Sequence, residues 1–330
     1  MGSREEKTPP HPPLGKGGMG GGRQAMATRD AYGAALLELG KKREDVVVLD
    51  ADLSGSTKTA KFAKAFPERF FNIGISEQDL VGTAGGLSLA GKVPFASTFA
   101  IFETGRAWEQ IRQSICYSKL NVKLVATHSG ITVGEDGASH QALMDVALMR
   151  VLPDMTVIVP SDGVETAQVI QSIADYYGPV YVRLGRAKVP VVMPGDYRFQ
   201  IGRAHSFHIG KDANIIAAGF MVSVSLDAQK ILKSQGLDVG VVNMSTIKPL
   251  DGEAVLAAAR ASRLIVTAEE HSVIGGLGSA VCEFLSEQHP VTVRRVGVLD
   301  TFGRSGKPEE LLALYGLTAE EIVKTVKTSL

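Results

Sequence analysis

The sequence predicts an α/β fold of two consecutive domains, each a mainly parallel sheet flanked by helices. Three observations carry this reading. Short runs rich in Val, Ile and Leu alternate with longer amphipathic stretches along most of the chain, as strands joined by crossover helices do. The 330 residues suffice for about two domains of ordinary size. The alternation breaks once, at residues 191–212, where Pro, Gly and polar residues read as a linker.

Residues 1–25 hold seven Gly and four Pro and cannot bury a core; they read as a disordered tail or tag, with Met26 suited to a native start. TRDAYGAALLELGKK then reads as a helix with Thr28 as its N-cap. VVVLD at 46–50 is a buried strand, followed by a helical pattern at 77–90, a strand at 92–98 and a helix at 104–117. Further strands fall at 123–128, 155–162 and 179–185, with a helix at 164–176 before the last. These make a first domain over 26–190. The second domain, 213–330, carries strands at 214–219, 237–244, 263–270 and 291–298, a helix ending near Ser234, helices at 252–260 and from Gly276, and helical text from Glu309 onward.

Composition narrows the function. Thirty-five basic residues balance thirty-five acidic ones, which argues against a nucleic-acid binder. No apolar stretch reaches the length of a membrane span, and no secretory signal opens the chain. Cys116 and Cys282 are the two cysteines, without a CxxC pair, so a disulfide framework is not expected and a reducing cytoplasm fits best.

In open α/β sheets ligands bind beyond the carboxyl ends of strands, and several unusual residues fall there. Glu77, in GISEQ, opens a helix; the helix dipole alone would favour a carboxylate at that place. Phe99 and Phe102, in STFAIFETGR, have core spacing, yet suit stacking on a flat heteroaromatic ligand equally. THSGITVGEDGASHQ at 127–141 sets His128, Glu135, Asp136 and His140 among Gly130, Gly134 and Gly137 just after a buried strand. Their spacing matches no standard metal site, and the density of polar groups points to binding or catalysis. Arg186, in VRLGR, can grip phosphate bidentately or serve a surface ion pair. Arg29 at a helix start and Ser56 in DADLSGST are weaker candidates taken alone.

Taken in order, and followed by IKPLD and EEHSVIGGLGSAV, these segments resemble the C-terminal half of a transketolase: the pyrimidine-binding domain plus the C-terminal domain of a thiamine-diphosphate enzyme. The resemblance runs from about residue 26 to 330, and VGEDGASHQ is its most specific piece, similar to the family's GEDGPTHQ with Ala138 and Ser139 replacing Pro and Thr. It implies transfer of a two-carbon ketol unit from a ketose phosphate to an aldose phosphate. It further implies that Glu77 hydrogen-bonds a ring nitrogen of the cofactor's pyrimidine, that Phe102 stacks on that ring and that Phe99 lines the pocket. A third aromatic frequent in the family is replaced here by Gly105. His140 and Asp136 would contact substrate hydroxyls, His140 taking a catalytic part. His128 would contact substrate, and Arg29, Ser56 and Arg186 would hold the sugar phosphate.

The family binds the diphosphate through Mg²⁺ with a GDG motif and a later Asn, and no GDG string occurs here. The resemblance therefore implies a separate transketolase N-terminal subunit that carries the diphosphate-binding domain and the Mg²⁺ ligands, in an α₂β₂ heterotetramer. Three rivals share parts of the pattern: the beta subunit of a 2-oxo-acid dehydrogenase, deoxyxylulose-phosphate synthase, and a non-catalytic assembly subunit that kept the fold. Glu77 speaks against the last, since a scaffold has no use for that carboxylate.

Overall fold

The computed structural model describes residues 25–330. In chain order its strands are β1 (Ala25–Ala27), β2 (Val46–Asp50), β3 (Phe70–Asn72), β4 (Val93–Ser97), β5 (Lys123–Ala126), β6 (Thr156–Ile158), β7 (Val180–Arg183), β8 (Lys188–Pro190), β9 (His205–His208), β10 (Ala213–Ala217), β11 (Val239–Asn243), β12 (Thr246–Lys248), β13 (Leu264–Ser272) and β14 (Thr292–Val298). A seven-stranded sheet runs β12-β6-β7-β5-β4-β2-β3, and a five-stranded sheet runs β14-β13-β10-β11-β9. All pairings in the first are parallel except β12 with β6, and all in the second except β9 with β11.

Every residue of β2, β4, β5 and β7 is buried, which explains their largely apolar text, with Asp50, Ser97, Lys123 and Arg183 at strand ends: helices cover both faces of the sheet. One face packs under the helices Thr28–Lys42 and Gly163–Asp175, through Tyr32, Leu36, Phe62, Val169 and Ile173. The other is covered by Leu80, Val81, Ile111, Ile115 and Leu124, and this cluster continues into the second domain through Ile216, Val242, Leu277 and Val281. The two domains therefore share one apolar core, in which burying each such side chain contributes about 1.5–3 kcal/mol.

Several features differ from the sequence reading. The segment 191–212, read as a linker, contributes β9 to the edge of the second sheet. The strand β12 follows β11 in the chain yet pairs with β6, so the second domain extends the first domain's sheet. Residues 1–24 of the tail expected to be disordered lie outside the described residues, while Ala25 opens β1, which pairs antiparallel with β8. Thr28 is the first helical residue and not the cap: its hydroxyl accepts the Gly185 N–H at 2.9 Å. The helix expected at 104–117 begins at Ala100, breaks at Ala107 and ends in a π-helical turn at Ile111–Cys116. The strand expected at 123–128 stops at Ala126, because His128 adopts a left-handed conformation with φ 56°. The carboxyl-terminal helical text divides into Pro308–Leu314 and Ala319–Ser329, with Gly316 at φ 70° between them. None of the helices in the described residues is long and apolar enough to cross a membrane.

Candidate active site

The site lies along the carboxyl ends of β2, β3, β4, β5 and β7, where the first sheet's strand order places a crevice. Ser56 follows β2, Glu77 follows β3, Phe99 and Phe102 follow β4, His128 follows β5 and Arg186 follows β7. Arg29 arrives from the start of the helix Thr28–Lys42, which the Thr28–Gly185 bond anchors beside the Arg186 loop. Asp50 shapes the Ser56 loop by accepting from the Leu53 N–H at 2.6 Å, the Thr57 hydroxyl at 2.7 Å and the Thr59 hydroxyl at 2.9 Å.

Arg29, Ser56, His128 and Arg186 come together. An Arg29 Nη1 donates to the Ser56 carbonyl at 3.1 Å and to His128 Nε2 at 3.0 Å. His128 is buried and stacks on Phe99 with ring centroids 3.8 Å apart; its Nδ1 lies 2.8 Å from the Thr127 hydroxyl. Burial, then Arg29, Arg186, His140 and Lys58, push the His128 imidazole down to about 3. The ring is thus neutral at physiological pH and free to accept from the guanidinium. Burial also lowers Arg29, and the nearby Arg186 adds to that. Two guanidiniums that repel one another beside a neutral imidazole favour an anion between them. Lys58 is a third cation of this group that the sequence reading did not single out; it pairs at 3.5 Å with Asp30.

The loop carrying Asp136 and His140 is held by the second domain. Glu270 accepts the Thr132 N–H at 2.7 Å, and Gln141 Nε2 donates to the Arg304 carbonyl at 2.9 Å. Gly130 sits at φ 77°, and a Cβ there would come within 2.4 Å of the Glu270 carboxyl, so neither the conformation nor the space admits a side chain. Behind the loop, Asp145 accepts from Arg183 Nε and from the Tyr181 hydroxyl, both at 2.7 Å. Burial opposes the charge on Asp145, but Arg183 and His271 outweigh it and hold the carboxyl below its ordinary range. Arg183 in turn donates to the Ala142 carbonyl at 3.0 Å and the Glu270 carbonyl at 2.9 Å, joining loop and second domain. His271 belongs to this buried network, 4.0 Å from Asp145. The GGLG helix start is already satisfied: Glu269 accepts the Leu277 and Gly278 N–H groups at 2.7 and 2.8 Å.

Arg186 is half-buried and donates to the Val133 carbonyl at 2.6 Å, with Asp136 at 3.6 Å and Glu135 at 3.8 Å. His140 presents its ring edge-on to Phe102 at 5.3 Å and to Phe99 at 6.3 Å. Phe99 and Phe102 stack at 5.8 Å, so four rings line one wall of the crevice.

Glu77 opens the helix Glu77–Leu89 and is 5% exposed. Its Oε1 accepts from Arg106 Nη1 at 2.8 Å, and the same guanidinium lies 4.1 Å from the centroid of Phe102. A planar group with N–H donors therefore fits between the Glu77 carboxylate and the Phe102 face. Next to Phe102 in the chain, Glu103 is fully buried, and neither of its carboxyl oxygens has a hydrogen-bond partner. Burial, with the charges of Asp50 and Glu77, raises Glu103 well above the carboxylate range and favours its neutral form. Neither Arg106 nor Glu103 was singled out from sequence; a charged residue inside a short helix carries no pattern that marks it. Among the described residues, no three His, Cys, Asp or Glu side chains converge as a metal site.

Fold and site define an α/β chain with a buried carboxylate beside an aromatic face and two arginines beside a neutral imidazole. Residues 24–192 match the transketolase pyrimidine binding domain and residues 202–322 the transketolase C-terminal domain. A protein of Methanocaldococcus jannaschii called a putative transketolase C-terminal section is 51% identical over 90% of this chain and 94% of its own length. A 6-deoxy-6-sulfo-D-fructose transketolase subunit of Clostridium sp. is 41% identical over 90% of this chain and 92% of its own. A solved split gene transketolase, described as an inactive beta4 tetramer, superposes with a TM-score of 0.86 at 56% identity, covering 92% of this chain and 98% of that one. The chain belongs to the transketolase family and corresponds to its C-terminal half, part of a thiamine-diphosphate-dependent transferase that works with a partner subunit.

Proposed function

We propose that this chain supplies the pyrimidine slot and the sugar-phosphate grip of a two-chain transketolase that moves a two-carbon ketol unit from a ketose phosphate to an aldose phosphate. The observation that carries it is the pairing of the Glu77 carboxylate and the Phe102 face on one planar slot. Thiamine diphosphate, when bound, supplies the carbon–carbon bond chemistry. Glu77 would share a proton with the pyrimidine ring nitrogen through Oε1, from a side chain that is 5% exposed, where such a bond is strong. Phe102 presents its face to the ring, and Phe99 supports Phe102 and His128 from behind. Arg29 and Arg186 hold the phosphate dianion, with the Ser56 carbonyl and neutral His128 aiming Arg29. Anchoring the substrate at that remote end orients the reacting carbon. Asp136 accepts from a substrate hydroxyl at the rim, and His140 Nε2 exchanges a proton with another, its Nδ1 lying 3.0 Å from the Ser139 hydroxyl.

The partner in this reading is a transketolase N-terminal subunit that binds the diphosphate and Mg²⁺, completing an α₂β₂ heterotetramer in the cytoplasm. Two features support it: this chain has no GDG string, and the solved relative with beta chains alone is described as inactive. The test is reconstitution with such a chain from the same source, followed by an assay of ketol transfer between sugar phosphates. Activity in the mixture and in neither chain alone is expected. Pyruvate consumption without ketol transfer would instead favour either the 2-oxo-acid dehydrogenase or the deoxyxylulose-phosphate synthase reading.

A further inference from the structure

The geometry points to Arg106 as a built-in occupant of the pyrimidine slot: its guanidinium sits between Glu77 and Phe102 as the cofactor ring would, and it must leave before the ring can enter. This rests on the slot assignment made above. Two independent contacts carry it. Arg106 Nη1 donates to Glu77 Oε1 at 2.8 Å, the carboxylate assigned to the ring nitrogen. The guanidinium carbon lies 4.1 Å from the Phe102 centroid, over the face assigned to ring stacking. A guanidinium is planar, delocalised and rich in N–H donors, so it reproduces both contacts of an aminopyrimidine protonated at that ring nitrogen.

The surroundings allow the exchange. The Arg106 side chain is 51% exposed, so it can swing into solvent without opening the core, whereas Glu77 at 5% stays fixed. Arg106 is the last residue of the helix Ala100–Arg106, and Ala107 leaves the helical conformation. A Cβ at the neighbouring Gly105 would meet no heavy atom within 4 Å, so the surface beside this helix end is open. Arg106 thus acts as an internal competitor that weakens cofactor binding by the chain while keeping the Glu77 charge paired.

Both contacts belong to this chain, so the test needs no partner. The probe is 4-amino-5-hydroxymethyl-2-methylpyrimidine at millimolar concentration, titrated into the full chain and followed by NMR. An exposed ion pair and one cation–π contact together represent about a tenfold handicap. Arg106→Ala is therefore expected to bind the probe about tenfold more tightly than the wild type, and Glu77→Ala in the Arg106→Ala background is expected to abolish that gain. Equal or weaker binding by Arg106→Ala overturns the proposal and leaves the slot assignment standing. Absence of binding in both chains, or undiminished binding by the double variant, shows that the slot itself is wrong and removes the proposal with it. Arg106→Lys, which keeps the charge and loses the planar face, is expected to fall between wild type and Arg106→Ala.

Discussion

Replacing Asp145 by alanine strands the Arg183 guanidinium, 5% exposed, without its counter-charge and the Tyr181 hydroxyl without its acceptor. Removing one member of a buried ion pair costs about 3–5 kcal/mol, far more than an exposed pair would. The orphaned tyrosine hydroxyl adds about 1 kcal/mol. For domains of this size the sum corresponds to a fall in melting temperature of roughly 10–20 °C. The consequence reaches the site, because Arg183 also ties the Ala142 and Glu270 carbonyls and thereby steadies the loop that carries Asp136 and His140. Urea unfolding followed by circular dichroism gives the stability, and the KM for sugar phosphate in the reconstituted enzyme gives the effect on the loop. Asp145→Leu with Arg183→Met, which removes both charges, is expected to be more stable than either single change. A loss under about 1 kcal/mol for Asp145→Ala, or a double variant as unstable as the summed singles, would refute the reasoning.

Lys123 is fully buried and donates to Asn121, Tyr176 and Gly178 oxygens, and burial pushes its amine down to about 7. The unfolded chain then holds the proton over a range of pH where the folded chain has released it, so this group makes stability rise with pH from about 7 upward. Urea midpoints at pH 7 and 9 should show the rise in the wild type and lack that component in Lys123→Met. Arg186→Ala should raise the KM of phosphorylated sugars about tenfold or more while leaving unphosphorylated acceptors nearly unchanged, because a charge-assisted phosphate contact is worth about 1.5–3 kcal/mol. Steady-state kinetics with both acceptor types checks this, and equal losses would remove the phosphate role.

Much of the fold and part of the site can be read from local text. The largely apolar runs of β2, β4 and β7 reflect burial on both faces, and that burial is what alternating segments predict. GISEQ, STFAIF and VGEDGASHQ mark strand ends, and the topology brings those ends into one crevice. What local text hides is long-range. IKP gives no sign that β12 will join β6 rather than its own domain's sheet. Arg106 reaches Glu77 across 29 positions, from a different helix. Glu103 looks like a surface acid in the sequence, yet the fold buries it completely. Lys58 joins the Arg29, His128 and Arg186 cluster through the loop that the Asp50 hydrogen bonds fold back. His128 departs from the expected strand because the chain turns left-handed there, and that turn places its ring on Phe99.

The central claim is that Glu77 is the carboxylate that works on the cofactor ring. Glu77→Gln keeps the shape of the side chain and removes its capacity to hold and return a proton. The direct measurement is the single-turnover rate of ketol transfer by the reconstituted variant, with assembly checked by sedimentation. The account expects intact assembly and a rate lower by a factor of about 10²–10⁴; an assembled variant that transfers ketol units at the wild-type rate would contradict it.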